Sequence, residues 1–201
     1  DPRSDLAVLQ INATNLAPMP LGNGAEVRRG QFVIALGNPY SLARDGQASA
    51  SWGIVSNIGR KAGPPTNEYG LPAKQGELRY LGSLIQTDAR LNLGTSGGAL
   101  LNLQGEMVGL TTSEAALAGY EQAAGFAIPV DDTFRRVVEL LKQGREVEYG
   151  FLGVQPEDLS YAERLRGRAG ARIAGVVFRS PAERAGLRPN DVVVSINGVR
   201  V

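Results

Sequence analysis

Histidine and cysteine are both absent from these 201 residues. Without cysteine there are no disulfides and no thiolate metal sites, an absence compatible with any compartment. Without histidine, any acyl transfer that relies on an imidazole to take a hydroxyl proton and hand it to the leaving group has no base within the chain, and no other residue is placed to substitute. No apolar run approaches the ~20 residues that cross a bilayer, and no signal peptide opens the chain. Basic runs interleaved with aromatics are missing too. A balance of 21 basic against 20 acidic residues, net +1, offers no electrostatic footprint for nucleic acid or an anionic membrane. What remains is an ordinary globular composition, 43% hydrophobic, long enough to bury a substantial core in one or two domains.

The stretch most charged with chemistry runs from Gln86 to Leu100, where Gly94, Gly97 and Gly98 bracket Ser96 between a polar approach and the apolar run Ala99-Leu100-Leu101. A serine hydroxyl becomes a nucleophile when the backbone presents it at an open turn, and glycines permit both the positive φ angles of that turn and close approach of a substrate. The Gly94 and Ser96 amides, on either side of Thr95, would then point one way, toward a developing oxyanion. Read without its surroundings, Gly-Thr-Ser-Gly-Gly is equally a flexible turn. A phosphate-cradling loop is disfavoured because no lysine follows the glycines.

In chain order, Leu6 to Ile11 reads as a buried strand with Asp5 at its mouth. Asn12 to Arg29, rich in proline and glycine, carries the turn-rich composition of a boundary and reads as a crossing segment. Gln31–Leu36 and Ala48–Ile58 read as antiparallel strands, with Trp52 as a core residue. Gly59 to Gly76 has no periodicity and reads as a long mobile loop. Met107–Thr112 reads as a strand. A helix opens at Pro129-Val130-Asp131-Asp132, carries Phe134, Val137, Val138 and Leu141 at helical spacing, and stops at Gly144.

Leu91 to Leu100, followed by Asn102 to Leu110, resembles the nucleophile segment of the HtrA/Deg family of trypsin-like serine proteases. Asp1 to Ile11 looks like the family's segment bearing the triad aspartate, Ala35-Leu36-Gly37-Asn38-Pro39 like the opening of its second barrel, and Gly125-Phe126-Ala127-Ile128-Pro129 like its closing strand. The resemblance implies a mainly β, chymotrypsin-like double β-barrel over residues 1–144. Ser96 would be the nucleophile and Asp5 a buried acid that orients the imidazole, the alternative for Asp5 being an ordinary solvated carboxylate. Gly94, Thr95 and Ser96 would form the oxyanion hole. Arg90, Leu91, Leu110, Thr111, Thr112 and Ser113 would border the substrate pocket, the last four pairing with an extended substrate. Arg90 stands where trypsin-type specificity needs an acid, so an aliphatic residue before the cut is expected instead. The loop after Gly59 takes part in activation in the family; plain surface loop is the alternative. The missing histidine breaks the family pattern. Since it precedes the aspartate in chymotrypsin-like chain order, truncation of the start is the expectation, and a degenerate protease the competing one.

Residues 145–201 resemble a PDZ domain of the bacterial, permuted type. The resemblance rests on Gly150-Phe151-Leu152-Gly153-Val154, the expected strand Gly175–Phe178, the helix start Ser180-Pro181 with its stop at Gly186, and Asp191 to Gly198. Phe151, Leu152, Gly153 and Val154 match the loop whose amides catch a peptide's C-terminal carboxylate, or else form the core of a first strand. The chain is expected to stop before the helix that completes the groove. The family implies unfolded or misfolded protein substrates, peptide C-termini at the PDZ, a trimer-based homo-oligomer, an extracytoplasmic location, and no cofactor or metal.

Overall fold

The computed structural model describes residues 1–60, 83–112 and 125–201. They divide into two compact units, Asp1–Val147 and Glu148–Val201.

In the first unit six strands close an antiparallel barrel: β1 (Phe32–Gly37), β2 (Ser49–Arg60), β3 (Leu84–Thr87), β4 (Ala99–Leu101), β5 (Met107–Thr112) and β6 (Gly125–Pro129). Their order around it is β1-β2-β3-β6-β5-β4, closed by β4 against β1. The period of two decides each strand's facing. Val33 and Ala35 of β1 turn inward and are buried with Val55, Ile85, Leu100 and Val108, while Phe32 and Ile34 turn outward. At about 1.5–3 kcal/mol for a fully buried aliphatic side chain, this cluster dominates the unit's stability.

The helix α1 (Asp132–Lys142) begins where Asp131 accepts a hydrogen bond from the Phe134 N–H at 2.8 Å and ends near Gly144, whose φ is +67°. Its apolar face joins a second cluster, Phe134 and Val137 packing with Leu6 and Val130. The crossing segment is stitched to the barrel along β5: Gly22 N–H donates to the Met107 carbonyl at 3.0 Å and Met107 N–H to the Pro20 carbonyl at 2.8 Å. Arg135 holds the same segment by donating to the Gly22 carbonyl at 2.7 Å.

The second unit carries a three-stranded antiparallel sheet in the order β7 (Val154–Asp158), β8 (Ala171–Val176), β9 (Val192–Val193), with β7 at an edge. A hairpin of β10 (Ser195–Ile196) and β11 (Val199–Arg200) follows. Two short helices are capped by serines. Ser160 and Glu163 form a reciprocal capping box on α2 (Tyr161–Leu165), and Ser180 accepts from Glu183 N–H at the start of α3 (Pro181–Arg184).

Three sequence expectations are corrected. Leu6–Ile11 forms no strand; Leu6 alone is buried, and Leu9 is 86% exposed. A strand exists by pairing, and among the described residues nothing pairs with this run. Trp52 is not a core residue but 73% exposed, because β2 turns Gly53 and Val55 inward and leaves Trp52 outside, where its ring lies 6.0 Å from that of Phe32. The strand expected at Gly175–Phe178 is β8, which starts earlier and ends at Val176. The loop expected over Gly59–Gly76 falls, from residue 61 onward, outside the described residues, as does Ser113; Gly59 itself belongs to β2.

Candidate active site

Ser96 sits between β3 and β4 on a turn that the chain builds from its own amides. Asn92 begins it: its carbonyl accepts from the Thr95 N–H at 3.1 Å and from the Thr95 hydroxyl at 2.6 Å. Gly94 and Gly97 have φ of +87° and +83°, the left-handed region that a side chain would strain. Gly97 then donates to the Thr111 carbonyl at 2.8 Å, and Thr111 N–H to the Gly98 carbonyl at 2.9 Å.

Thr111 is the clamp under this turn. Its buried hydroxyl reaches the Gly98 carbonyl at 3.1 Å and also the Thr95 carbonyl, so one side chain of β5 fixes both sides of Ser96. Gly98 lies so close to β1 that a Cβ there would overlap the Leu36 carbonyl oxygen. From the other side, Tyr40 N–H donates to the Leu93 carbonyl at 2.6 Å. Tyr40 is held at φ +54° in a loop that Asn38 ties on itself, accepting from Ala43 N–H at 2.9 Å and donating to the Ala43 carbonyl at 3.0 Å. Ser96 stands exposed on this platform, at the rim of a cleft of about 460 Å³ bounded by Met19, Leu36, Asn38, Ala43 and Gln47.

Asp5 is exposed rather than buried, since no described residue covers its outer side. It sits at φ +56°, and its carboxylate accepts a 3.0 Å hydrogen bond from Thr112 Oγ1. Thr112 lies at the end of β5, one residue beyond the clamp, so β5 supports both the serine turn and the acid.

The residues expected around the substrate pocket are dispersed. The cleft beside Ser96 is lined by none of Arg90, Leu91, Leu110, Thr111 and Thr112. Leu91 packs half-buried on the barrel core and over Gly125, Leu110 packs toward the α1 cluster, and Arg90 is exposed, its carbonyl accepting from the Ser51 hydroxyl at 2.8 Å. Within the expected oxyanion loop, the Thr95 amide donates to the Asn92 carbonyl. Sequence reading missed the cleft wall Leu36–Ala48 and the clamp. The Asn-Pro pair leaving a strand was the available signal for a loop tied by its own side chain. Thr111 offered none.

In the second unit, Phe151 and Leu152 are 62% and 51% exposed, so neither packs as a core residue. Gly153 has φ +83°, and a Cβ there would collide with Ser180 at the start of α3. The loop is anchored through its carbonyls: Ala182 N–H donates to Leu152 at 2.9 Å and Val177 N–H to Gly153 at 2.8 Å.

A closed antiparallel barrel presenting a serine on a glycine turn, with an acid tied to the neighbouring strand, defines the class of trypsin-like peptidases. The family model for a trypsin-like peptidase domain matches residues 1–110, and that for a PDZ domain matches residues 172–201. A probable periplasmic serine endoprotease, DegP-like, of Chlamydia muridarum is 40% identical over 205 residues, covering 100% of this chain and 38% of that protein. The periplasmic serine endoprotease DegP of Escherichia coli is 36% identical over 203 residues, covering 98% and 39%. Among solved structures, the HtrA-type protease AlgW with a tripeptide superposes with a TM-score of 0.68 at 35% identity, covering 100% of this chain and 62% of that one. AlgW with a decapeptide gives 0.65 at 34%, covering 100% and 57%. The chain belongs to the HtrA/Deg family of trypsin-like serine proteases, and it spans less than half the length of the curated relatives it matches.

Proposed function

We propose that the protein carrying this chain is a serine endopeptidase of protein quality control in the periplasm or cell envelope. It cleaves unfolded or damaged proteins and uses its PDZ unit to hold peptide C-termini. Ser96 attacks the scissile carbonyl. The Gly94 and Ser96 amides stabilise the oxyanion, and Asp5 orients an imidazole supplied from outside these 201 residues, which contain no histidine. The observation that carries this reading is Ser96, exposed on a turn clamped from beneath by Thr111. The kinship with proteins named periplasmic serine endoproteases supports the location and the substrate class. Homo-oligomerisation, trimer-based, is part of the same proposal by family resemblance.

The experiment is active-site labelling. A fluorophosphonate probe should modify the full-length protein at Ser96, and Ser96→Ala should abolish both labelling and casein cleavage. Cleavage that persists in Ser96→Ala removes the assignment. The absence of histidine also favours a second reading, a protease-fold scaffold that only binds peptides. Full-length protein that binds peptides but never reacts with the probe selects it.

A further inference from the structure

The exposed edge of β7 is interrupted by a proline at a place where a docked peptide needs a donor. Along β7 the backbone groups alternate between the β8 side and the open side, and the pairing fixes which is which. Gly153 faces β8, because its carbonyl accepts from Val177 N–H. Val154, opposite Val176, therefore faces outward, and Gln155, opposite Gly175, faces inward again. A register shift follows, and Pro156 lies opposite Ile173. Ile173 has nothing to give it: its N–H goes to the Asp191 carbonyl and its carbonyl to Asn190 N–H, each at 2.8 Å on the far side of β8. Pro156 thus directs its carbonyl to the open edge, and proline carries no N–H. β7 is an edge strand of its sheet, and Gln155 to Asp158 are all exposed.

We infer that Pro156 ends strand addition at this edge, so that the PDZ unit pairs fully with a peptide's carboxylate and last residue, makes half of the next pair, and gains nothing from the chain further back. The inference rests on the reading of Phe151–Val154 as the carboxylate-binding loop. A peptide whose end lies in that loop meets β7 at its start and must run antiparallel to it. Its last residue pairs with the outward groups of Val154. Its third residue from the end falls opposite Pro156, where its N–H finds the proline carbonyl but its own carbonyl finds no donor. A ladder broken there cannot be continued at full strength toward Asp158, and the same gap blunts the edge against pairing with other strands.

The test is calorimetry on the full-length protein and its Pro156→Ala variant. The probes are a hydrophobic dipeptide, tripeptide and decapeptide with a common C-terminal sequence, and the tripeptide amide; the dipeptide is measured by competition. In the wild-type protein tripeptide and decapeptide should bind within about twofold of each other. Restoring one N–H should tighten both by about two- to tenfold, the range of one net hydrogen bond, and leave the dipeptide, which has no carbonyl to offer position 156, unchanged. A decapeptide that binds the wild type tenfold tighter than the tripeptide overturns the inference, whether or not the variant folds. So does a folded Pro156→Ala protein with no gain while amidation still weakens binding, and that outcome leaves the carboxylate loop standing. If amidation changes nothing in either protein, the carboxylate loop falls and the inference with it.

Discussion

Thr112 and Asp5, 107 positions apart in sequence, are joined by a 3.0 Å hydrogen bond from the threonine hydroxyl to the carboxylate. The donor is buried at the end of β5 and the acceptor is exposed, so the bond fixes where the acid points more than it adds to stability. Water competes for an exposed carboxylate. Isosteric Thr112→Val should cost only about 0.5–1.5 kcal/mol in urea unfolding of the chain. If the proposed activity holds, Asp5→Asn in the full-length protein should lower kcat by about 10⁴ through the wrong imidazole tautomer, with the fold intact by circular dichroism. Appreciable activity in Asp5→Asn would make Asp5 an ordinary surface acid.

The chain by itself should be chemically silent. With no histidine among its 201 residues, there is no imidazole to take the Ser96 proton, and loss of a triad member costs up to about a million-fold in turnover. Purified chain mixed with unfolded casein should give no cleavage that Ser96→Ala abolishes.

Thr111→Val should separate clamp from pocket. It removes two hydrogen bonds, while the Thr95 carbonyl keeps the Gly98 N–H and the Gly98 carbonyl keeps the Thr111 N–H, so a loss of about 0.5–1.5 kcal/mol is expected in chemical denaturation. Fluorophosphonate labelling of Ser96 in the full-length protein should slow in parallel. Unchanged labelling with reduced stability would assign Thr111 to the core alone.

Gly98→Ala tests the same platform by collision. The added methyl overlaps the Leu36 carbonyl oxygen on β1, a backbone atom that cannot step aside, so destabilisation of about 1–3 kcal/mol is expected from overpacking. Gly105→Ala is the contrast: its Cβ meets nothing, although its φ of +79° still carries some strain.

The second unit should lose stability in acid. The Ser160 hydroxyl hydrogen bond, followed by the Ser160 amide and Arg172, holds the Glu163 carboxyl below its usual 4.5. A depressed folded pKa means stability that is present above the unfolded value and lost as pH falls through the folded one. Melting temperature should therefore drop below about pH 4.5, and Glu163→Gln should flatten that part of the profile. A slope unaltered in Glu163→Gln would place the acid sensitivity elsewhere.

Several strands were legible before any coordinates. β1 and β5 were expected from short apolar runs, β6 from the family resemblance, and α1 from Asp131, the Phe134–Leu141 spacing and Gly144. The turn that carries Ser96 was legible because its glycines announce a backbone that side chains cannot follow. What failed depended on a partner. Leu6–Ile11 has strand composition but nothing to pair with among the described residues, and Trp52 has core composition on a strand whose inward face was already taken by Gly53 and Val55. The cleft wall Leu36–Ala48 was invisible for another reason: it is made by a loop folding back through Asn38 and Tyr40, and tertiary return leaves no period in sequence.

Barrel closure has a kinetic corollary. β4 begins three residues after Ser96 and is the strand that seals the barrel by pairing with distant β1, a contact of long sequence separation whose loop-closure entropy makes it slow to form. Thr111 can grip the serine turn once β4 and β5 have paired as neighbours, but the bond from Tyr40 N–H to the Leu93 carbonyl and the packing of Gly98 on Leu36 come only with that seam. A partly folded chain therefore holds Ser96 on a platform braced from one side only.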